Sequence, residues 1–367
     1  MLEGVSLDSR GGNLQSGGLT QITTRGNVDL TNAQLKAGSL NLNAGGSLLL
    51  ASTTTTAGYQ IGSAANAAST GTASHTLLDR IASIDVQGDA VIRTGGDFTQ
   101  NGARLAVGGN LAALVGGNWN LGTIQTGDSK QTLHQGAVGG HASSTETYNT
   151  TSSVSVGGST LAQVGGNLTA VGAKIDLAGG GALGVKGNID LSAAVDRLQV
   201  DSQATSSSGG WGGRSHNDTV HLDTQTLQGT QITANNSLSL ASGGNMGLQA
   251  SSIQLSQGNL ALQAAGDIRM GTQNQHSELA TTLSGSHNTG LSNKSGIEAH
   301  SRTSDTAMGS SLGGSTVTAV AGQTWRCTAA TCSATRARPW WRATIWPSPP
   351  PPTPPAKATS RKRRSLA

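Results

Sequence analysis

Three aspartates, Asp85, Asp89 and Asp97, are the side chains whose spacing could support acid–base chemistry. Two carboxylates on one face can divide the roles of general acid and general base, as a polysaccharide lyase or a glycosidase requires. Asp is also common in turns, where its short side chain suits the local backbone. We interpret all three as turn residues, so the sequence predicts no catalytic residue.

The eight histidines could supply metal ligands, and they run from His75 to His300. A metal site needs ligands that converge with a defined geometry. Only His216 and His221 form a close pair in the sequence. All eight lie in the polar segments described below, so we interpret them as solvated side chains.

The two cysteines, Cys327 and Cys332, could form one disulfide or half of a zinc site, and no second pair completes that site. A calcium-binding β-roll would need an Asp in each nonapeptide loop, and residues 245–251 contain none. The sequence therefore predicts no metal ion, no cofactor and no cofactor-binding residue.

Composition separates a long body from a short tail. Gly accounts for 53 of 367 residues and aromatics for 2%, so the apolar content is almost entirely Leu, Val, Ile and Ala. After Gln323 come all eight Pro, both cysteines and nine Lys or Arg, with no acidic residue. Removing those nine charges from the net +4 leaves residues 1–323 at −5. The basic pI therefore belongs to the tail and does not indicate nucleic-acid binding.

The body contains a repeat of about 21 residues. Gly-Asn or Gly-Asp followed by alternating apolar residues recurs, with Asp89, Asp97, Asn110 and Asn118 spaced by 8, 13 and 8 residues. Each piece predicts a turn followed by a strand of three to five residues. Such strands are stable only when each pairs with its copies about 4.8 Å above and below. The repeat therefore predicts an all-β chain folded as a right-handed parallel β-helix, with ladders of stacked Asn amides at its corners.

A longer repeat of about 72 residues lies over the first. Segments rich in Ser, Thr and Gly interrupt the coils, and some have two strand-like stretches around a loose turn, as in residues 198–222. We predict hairpin excursions that leave the helix at one corner, at about residues 52–83, 122–157, 196–227 and 271–312.

The coils resemble a known family. Residues 164–177, Val-Gly-Gly-Asn-Leu-Thr-Ala-Val-Gly-Ala-Lys-Ile-Asp-Leu, are similar to the haemagglutinin repeats of filamentous haemagglutinins and of contact-dependent growth inhibition exoproteins. The resemblance covers about residues 1–323. It implies export through an outer-membrane two-partner secretion transporter and display at the bacterial cell surface. It also implies a host cell or a neighbouring bacterium as the partner.

The chain departs from that family pattern at both ends. Residues 1–13 lack the basic start and apolar stretch of a signal peptide, and no apolar run approaches the ~20 residues of a membrane span. Neither a secretion domain nor a toxin domain is recognisable. Export of this chain on its own is therefore not expected.

The tail, residues 324–367, is predicted to be disordered and out of frame. Its Trp codons, TGG, become Leu, Met or Val codons in a shifted frame, so residues 340–346 can encode Val-Val-Ala-Gly-Asn-Asp-Leu, another coil. We therefore interpret the basic run 361–364 and the proline run 349–355 as consequences of a missing base, rather than as a nucleic-acid patch and a polyproline ligand.

Together these observations predict a structural stalk fragment, residues 1–323, of a large secreted adhesin used in cell adhesion. The stalk of a contact-dependent growth inhibition toxin-delivery exoprotein is the alternative, and a β-helix polysaccharide lyase is a remote one. The sequence does not distinguish adhesin from toxin stalk. The remaining predictions are that the protein is not an enzyme and that it has no nucleic-acid partner.

Overall fold

The computed structural model describes residues 1–62, 69–135, 138–210, 212–328, 331–334 and 362–364. These residues are built from strands and turns, and among them no helix could cross a membrane. Most strands pair in parallel with copies of themselves, which confirms the predicted right-handed parallel β-helix.

Each complete coil has three strands, one on each of three faces. Consecutive coils are offset by 21 residues where no arm intervenes, as in the pairing of Ile84 with Leu105 and of Phe98 with Trp119. Where an arm intervenes the offset is larger, as in the pairing of Arg104 with Ser153. Faces one and two are joined in the first coils by the long strands Asn13–Thr24 and Gln34–Ala44. The predicted period of about 21 residues is therefore the length of one turn of the helix.

Faces one and two carry separate strands in the later coils. Face one contains Ser83–Val86, Arg104–Val107, Ser153–Val156, Lys174–Leu177, Gln231–Ala234, Ser252–Leu255, Ser311–Gly314 and Thr331–Ala334. Face two contains Leu2–Gly4, Ala90–Thr94, Leu111–Val115, Thr160–Val164, Gly181–Val185, Leu238–Ser242, Asn259–Ala264 and Thr316–Ala321.

Face three completes each coil. It contains Leu7–Asp8, Val28–Asp29, Leu48–Ala51, Phe98–Asn101, the start of Trp119–His134, Leu168–Val171, Ile189–Ser192, Met246–Gln249, Ile268–Gly271 and Trp325–Cys327.

The interior of the coils is a single apolar stack. Inward Leu, Ile, Val and Ala side chains form one continuous core cluster from Ile22 to Leu312. Phe98 and Trp119 stack on adjacent coils with ring centroids 5.5 Å apart. Each fully buried Leu or Ile contributes roughly 1.5–3 kcal/mol, so the stack is the main source of stability.

The Gly-Asn and Gly-Asp motifs form the corner between faces one and two, as at Gly109-Asn110, and the corner between faces two and three, as at Gly187-Asn188. The Asn167 side-chain oxygen accepts a hydrogen bond from the backbone N–H of Asn188 at 2.8 Å, and Asn188 accepts one from Asn245 at 2.8 Å. The Asn residues thus bond mainly to backbone, which differs from the predicted ladder of side-chain amides. A Cβ at Gly187 would collide with the Asn167 oxygen, so the residue before each Asn is Gly.

From the second coil onward, the corner between faces three and one alternates between two forms. In one coil it is closed by a residue with a left-handed backbone, namely Asn32 (φ 58°), Gly102 (φ 55°), Gly172 (φ 62°) or Ala250 (φ 47°). In the next coil the chain leaves the helix there as a β-hairpin arm. Gly suits this closure because only Gly adopts such a φ without a steric cost.

Four arms leave at this corner, as the 72-residue repeat predicts. Arm 1 consists of Thr53–Ile61 and Ser69–Arg80, and arm 2 of the later part of Trp119–His134 together with Val138–Thr151. Arm 3 consists of Ala194–Ser208 and Arg214–Gln228, and arm 4 of Gln273–Asn288 and Asn293–Met308. Each arm has an outgoing strand followed by an antiparallel return strand.

The structure describes only part of the predicted tail. Thr324 donates its backbone N–H to Asp267 at 3.0 Å, and Trp325 pairs with Ile268, so the coil geometry continues past residue 323. A short strand, Lys362–Arg364, pairs with residues 295–297 of arm 4. Residues 335–361, including the proline run, lie outside the described residues. The frameshift and the boundary at 323 stay predictions.

Candidate functional surface on the hairpin arms

The four arms pair with one another and form one antiparallel sheet, which we call the arm sheet. The return strand of arm 1 pairs with the outgoing strand of arm 2 at residues 69–76 and 127–134. Arms 2 and 3 pair at 138–147 and 197–206, and arms 3 and 4 at 214–224 and 277–287. The arms are therefore not separate loops but neighbours in a continuous surface along the stalk.

The width of an arm explains why only alternate coils carry one. A hairpin is two strands wide, and strands in a sheet lie about 4.8 Å apart, so each arm occupies about 9.6 Å. Two stacked coils rise by the same distance. An arm on every second coil therefore allows both the coils and the arms to keep ordinary strand spacing.

The two faces of the arm sheet differ in composition. Because partners in an antiparallel register share a face, one face contains the exposed residues Tyr59, Leu77, Tyr148, Val220, Leu279 and Leu283. The other face, which we call the polar face, has rows of Ser, Thr and Gln with one group of charged residues, and it also carries the exposed Leu133 and Ile297. Most arm residues are at least partly exposed on both faces, so arm stability depends mainly on backbone hydrogen bonds and cross-strand pairs.

The charged group on the polar face lies on both sides of the seam between arms 3 and 4. Arg197 donates to Asp223 at 2.9 Å and 2.5 Å. The hydrogen bond from the Arg197 guanidinium lowers the pKa of the Asp223 carboxyl. The same bond raises the pKa of Arg197, because the Asp223 carboxylate stabilises the charged guanidinium. Glu278 lies directly opposite Asp223 across the seam, so Arg197 also offsets the repulsion between two carboxylates.

Two histidines lie beside this group. His221 bonds to Asp201 at 2.5 Å, and His276 bonds to Asp305 at 2.7 Å with Glu278 at 3.7 Å. The pKa of each imidazole is raised, chiefly by the hydrogen bond to the neighbouring aspartate. These histidines differ from the prediction of freely solvated side chains, because each has a carboxylate partner.

The seams between the other arms contain specific contacts as well. His75 of arm 1 bonds to Asp128 of arm 2. At the base of the next seam, Asn149 donates its backbone N–H and its side-chain amide to Asp196 at 2.7 Å and 2.9 Å. Such contacts tie side chains across seams whose strands are about 50 residues apart in sequence.

The three aspartates considered for acid–base chemistry lie at different places on the coils. Asp89 and Asp97 occupy two different corners, where they accept the backbone N–H of Asn110 and of Asn118, each at 2.7 Å. Asp85 lies within a face-one strand, and its carboxylate oxygen is 3.4 Å from Nε of Arg104. The prediction that Asp85 is a turn residue is therefore wrong. Each of the three carboxylates therefore has a structural partner on the coils, and the three do not form one acid–base site.

The candidate metal ligands also separate. His216 and His221 are five residues apart on one strand and so project to opposite faces of the arm sheet. Across the described residues, no group of three or more His, Cys, Asp or Glu side chains is arranged to hold a metal ion. Cys327 lies on an exposed face-three strand, and the Cys332 side chain lies outside the described residues.

A set of buried hydroxyl groups lies at the bases of the arms and was not predicted from the sequence. Ser52, Ser152, Thr230 and Ser310 are each at most 3% exposed. Thr230, for example, donates to the carbonyls of Ala170 at 3.0 Å and Ser192 at 2.7 Å, and accepts from Ala173 N–H at 3.2 Å.

We call these four residues the base hydroxyls. They satisfy backbone groups that the departing arm would otherwise leave unpaired in the core. A partial signal for three of them was present in the sequence. Ala33, Ala103 and Ala173 occupy the position in armless coils that Ser152, Thr230 and Ser310 occupy in coils entered from an arm. Two residues depart from this pattern, since Ala82 follows arm 1 and Ser251 lies in an armless coil.

Comparison with known proteins gives several clear relatives. The chain is 41% identical over 271 residues, 74% of its length, to "tRNA nuclease CdiA-2" of Burkholderia pseudomallei strain 1026b. It is 40% identical over 66% of its length to a "tRNA nuclease CdiA" of Burkholderia pseudomallei, and 35% identical over 65% to "Toxin CdiA" of Yersinia pestis. No family model and no solved structure matches.

The matched part is a small fraction of each relative. The chain spans 8%, 18% and 7% of the three proteins, in the order named. The names favour the toxin-delivery alternative over the adhesin that the sequence analysis put first. The prediction that the protein is not an enzyme is wrong, because the first relatives are named tRNA nucleases.

The predicted absence of a nucleic-acid partner is likewise not confirmed, because the first relatives are named tRNA nucleases. The repeats recognised in the sequence and these sequence identities indicate the same protein family. It is a homologue of part of the CdiA contact-dependent growth inhibition proteins, which confirms the exoprotein family predicted from its repeats.

Proposed function

We propose that this chain is a segment of the stalk of a contact-dependent growth inhibition exoprotein, which presents a toxin to neighbouring bacteria. The observation that carries the proposal is the 41% identity to a CdiA protein over 74% of the chain. The structure supports it, since stacked coils with one continuous core suit an element that extends along one axis.

The whole exoprotein is proposed to act on tRNA, as the names of the first relatives indicate. We further propose that it is exported through an outer-membrane two-partner secretion transporter and that the stalk lies outside the cell. Its target is then the surface of a neighbouring bacterium. Adhesion to host cells was the first prediction from the sequence, and no relative's name supports it.

The stalk proposal is tested by shortening the segment within the full-length exoprotein. Deleting residues 153–230 removes two coils and arm 3, so arms 2 and 4 remain on alternate coils. If the segment is a spacer, the exoprotein with this shortened stalk should still inhibit neighbouring cells and cleave their tRNA. The readouts are growth competition and tRNA integrity in the target cells, normalised to the amount of exoprotein at the producer's surface.

A matched deletion removes residues 153–173, a single armless coil. Arms 2 and 3 would then leave adjacent coils, only about 4.8 Å apart, although each arm is two strands wide. We expect this shorter deletion to reduce surface display or delivery more than the longer one. Loss of delivery by the longer deletion at normal surface display would contradict a spacer role and favour a specific binding site within residues 153–230.

A further inference from the structure

We propose that the outer strand of arm 4, Asn293–Met308, is a docking edge for the outgoing strand of a further arm of the same exoprotein. The inference rests on the proposed stalk function, because it requires a longer stalk. It goes beyond that function by assigning an interaction surface and the type of strand that fits it.

The existing seams define the geometry of the partner. In all three seams, the return strand of one arm pairs antiparallel with the outgoing strand of the next. Asn293–Met308 is the return strand of arm 4. The strand that continues this pattern is therefore an outgoing strand with antiparallel direction.

The outer strand resembles the inner strands of the arm sheet in its build. It pairs with Gln273–Asn288 along its whole length without a bulge, and it contains no Pro. Edge strands that resist pairing usually have bulges, Pro or added charges. Asn293–Met308 has five ionisable residues, as does Arg214–Gln228, which is paired on both sides. Its charge therefore does not mark it as a protected edge.

The outer strand is exposed to solvent, and part of it already pairs with another strand. All of its residues except Met308 are exposed. The short strand Lys362–Arg364 pairs antiparallel with residues 295–297, so this edge is competent for antiparallel pairing, and most of its length is left uncovered by that contact.

The coils place the next arm at the correct height. Arm 4 leaves the coil that begins with Ser252–Leu255, and the following coil begins with Ser311–Gly314. The next face-one strand, Thr331–Ala334, pairs on Ser311–Gly314 and starts the coil after that. By the alternate-coil rule, this coil is the one that bears an arm, about 9.6 Å from the base of arm 4.

The opposite edge of the arm sheet is an outgoing strand. Thr53–Ile61 begins arm 1, and it has no Asp, Glu, Lys, Arg or His and no Pro. The outgoing strands that pair in the three seams do carry such residues, for example Asp128 and Lys130 in arm 2. The strand expected on Asn293–Met308 is therefore defined by its outgoing position and antiparallel direction, and not by a lack of charge.

Hydrogen exchange tests the proposal in two samples, the secreted full-length exoprotein and this chain alone at low concentration. Alternate amides of strand 293–308 face arm 4 and should be protected in both samples, which provides an internal control. The amides between them face outward. We expect these to exchange at least about tenfold more slowly in the exoprotein than in the isolated chain.

Equal rates for the outward amides in the two samples would overturn the docking edge. Protection that appears only in the isolated chain, and rises with its concentration, would also overturn it, because the partner would then be a second copy. Toxin delivery is measured on the same exoprotein. Normal delivery with unprotected outward amides refutes the docking edge and leaves the stalk function intact. Protected outward amides without delivery support the docking edge and refute the stalk function.

Discussion

The coils and the arms are both β-structure, but they are stabilised in different ways. The coils enclose a core in which residues such as Leu177 are 1% exposed, whereas Leu279 on the arm sheet is 43% exposed. Coil stability therefore comes mainly from apolar burial, and arm stability mainly from hydrogen bonding between strands. The comparison shows that one chain can combine a self-sufficient solenoid with a sheet that depends on it for alignment.

The largest effect is expected from the same substitution made in each region. Leu177→Asp places an unpaired charge in the core and should lower the free energy of unfolding by several kcal/mol, since burying a charge without a partner is very costly. Leu279→Asp on the arm sheet should change it little. Denaturant unfolding of both variants makes the comparison, and equal losses would show that the arm sheet is packed like the coils.

Removing a base hydroxyl should have the next largest effect. Thr230→Val keeps the shape of the side chain but leaves the carbonyls of Ala170 and Ser192 without that donor, at a cost of about 1–3 kcal/mol. Thr233→Val, on an exposed position of the next strand, is the matched control. A loss no greater than that of the control would mean that the arm bases are not anchored in the core.

The Arg197–Asp223 pair should contribute less. Arg197→Met is expected to cost about 1 kcal/mol or less, because the Arg197 side chain is about half exposed and solvent weakens the ion pair. The pKa of Asp223 is lowered in the folded state, so its stabilising contribution is present above the ordinary aspartate pKa and is lost as the pH falls through the lowered value. The protection of arm 3 and arm 4 amides, corrected for the intrinsic exchange rate at each pH, follows this loss, which Asp223→Asn should abolish.

The smallest effect is expected from the histidine pairs. The pKa values of His221 and His276 are raised, so their contribution is complete below the ordinary value of 6.5 and is lost as the pH rises through the raised values. After correction for the intrinsic exchange rate at each pH, the protection of arm amides should therefore fall slightly above neutral pH, while the protection of coil amides should not change. A pH response that persists in the His221→Gln, His276→Gln double variant would assign it to other groups.

Sequence periodicity was sufficient to predict the coils and the arms. The 21-residue spacing of Asn and Asp at glycine corners determines the coil length, and the Ser- and Thr-rich interruptions mark the arms. The pairing between arms was not predicted, because Thr, Ser and Gln alternate too weakly to define a register. It becomes apparent only when the axial rise of two coils is compared with the width of a hairpin.

The base hydroxyls were missed for a related reason. Ser152 and Thr230 lie beside segments where Ser and Thr are abundant and exposed, so composition hides the few that are buried. Their partners come from neighbouring coils, as when Thr230 bonds to Ala170, 60 residues away. The relatives' nuclease names could not be anticipated either, because the chain spans at most 18% of those proteins.

The arm sheet has a mechanical consequence for the stalk. Its strands stack along the direction in which the coils stack, and strands of up to 16 residues have a length of roughly 50 Å. Bending the stalk within the plane of this sheet would stretch or compress hydrogen bonds far from the axis of the coils, whereas bending across it only curves a thin sheet. The arm sheet therefore acts like the web of a beam, and a stalk built in this way should flex mainly in one direction.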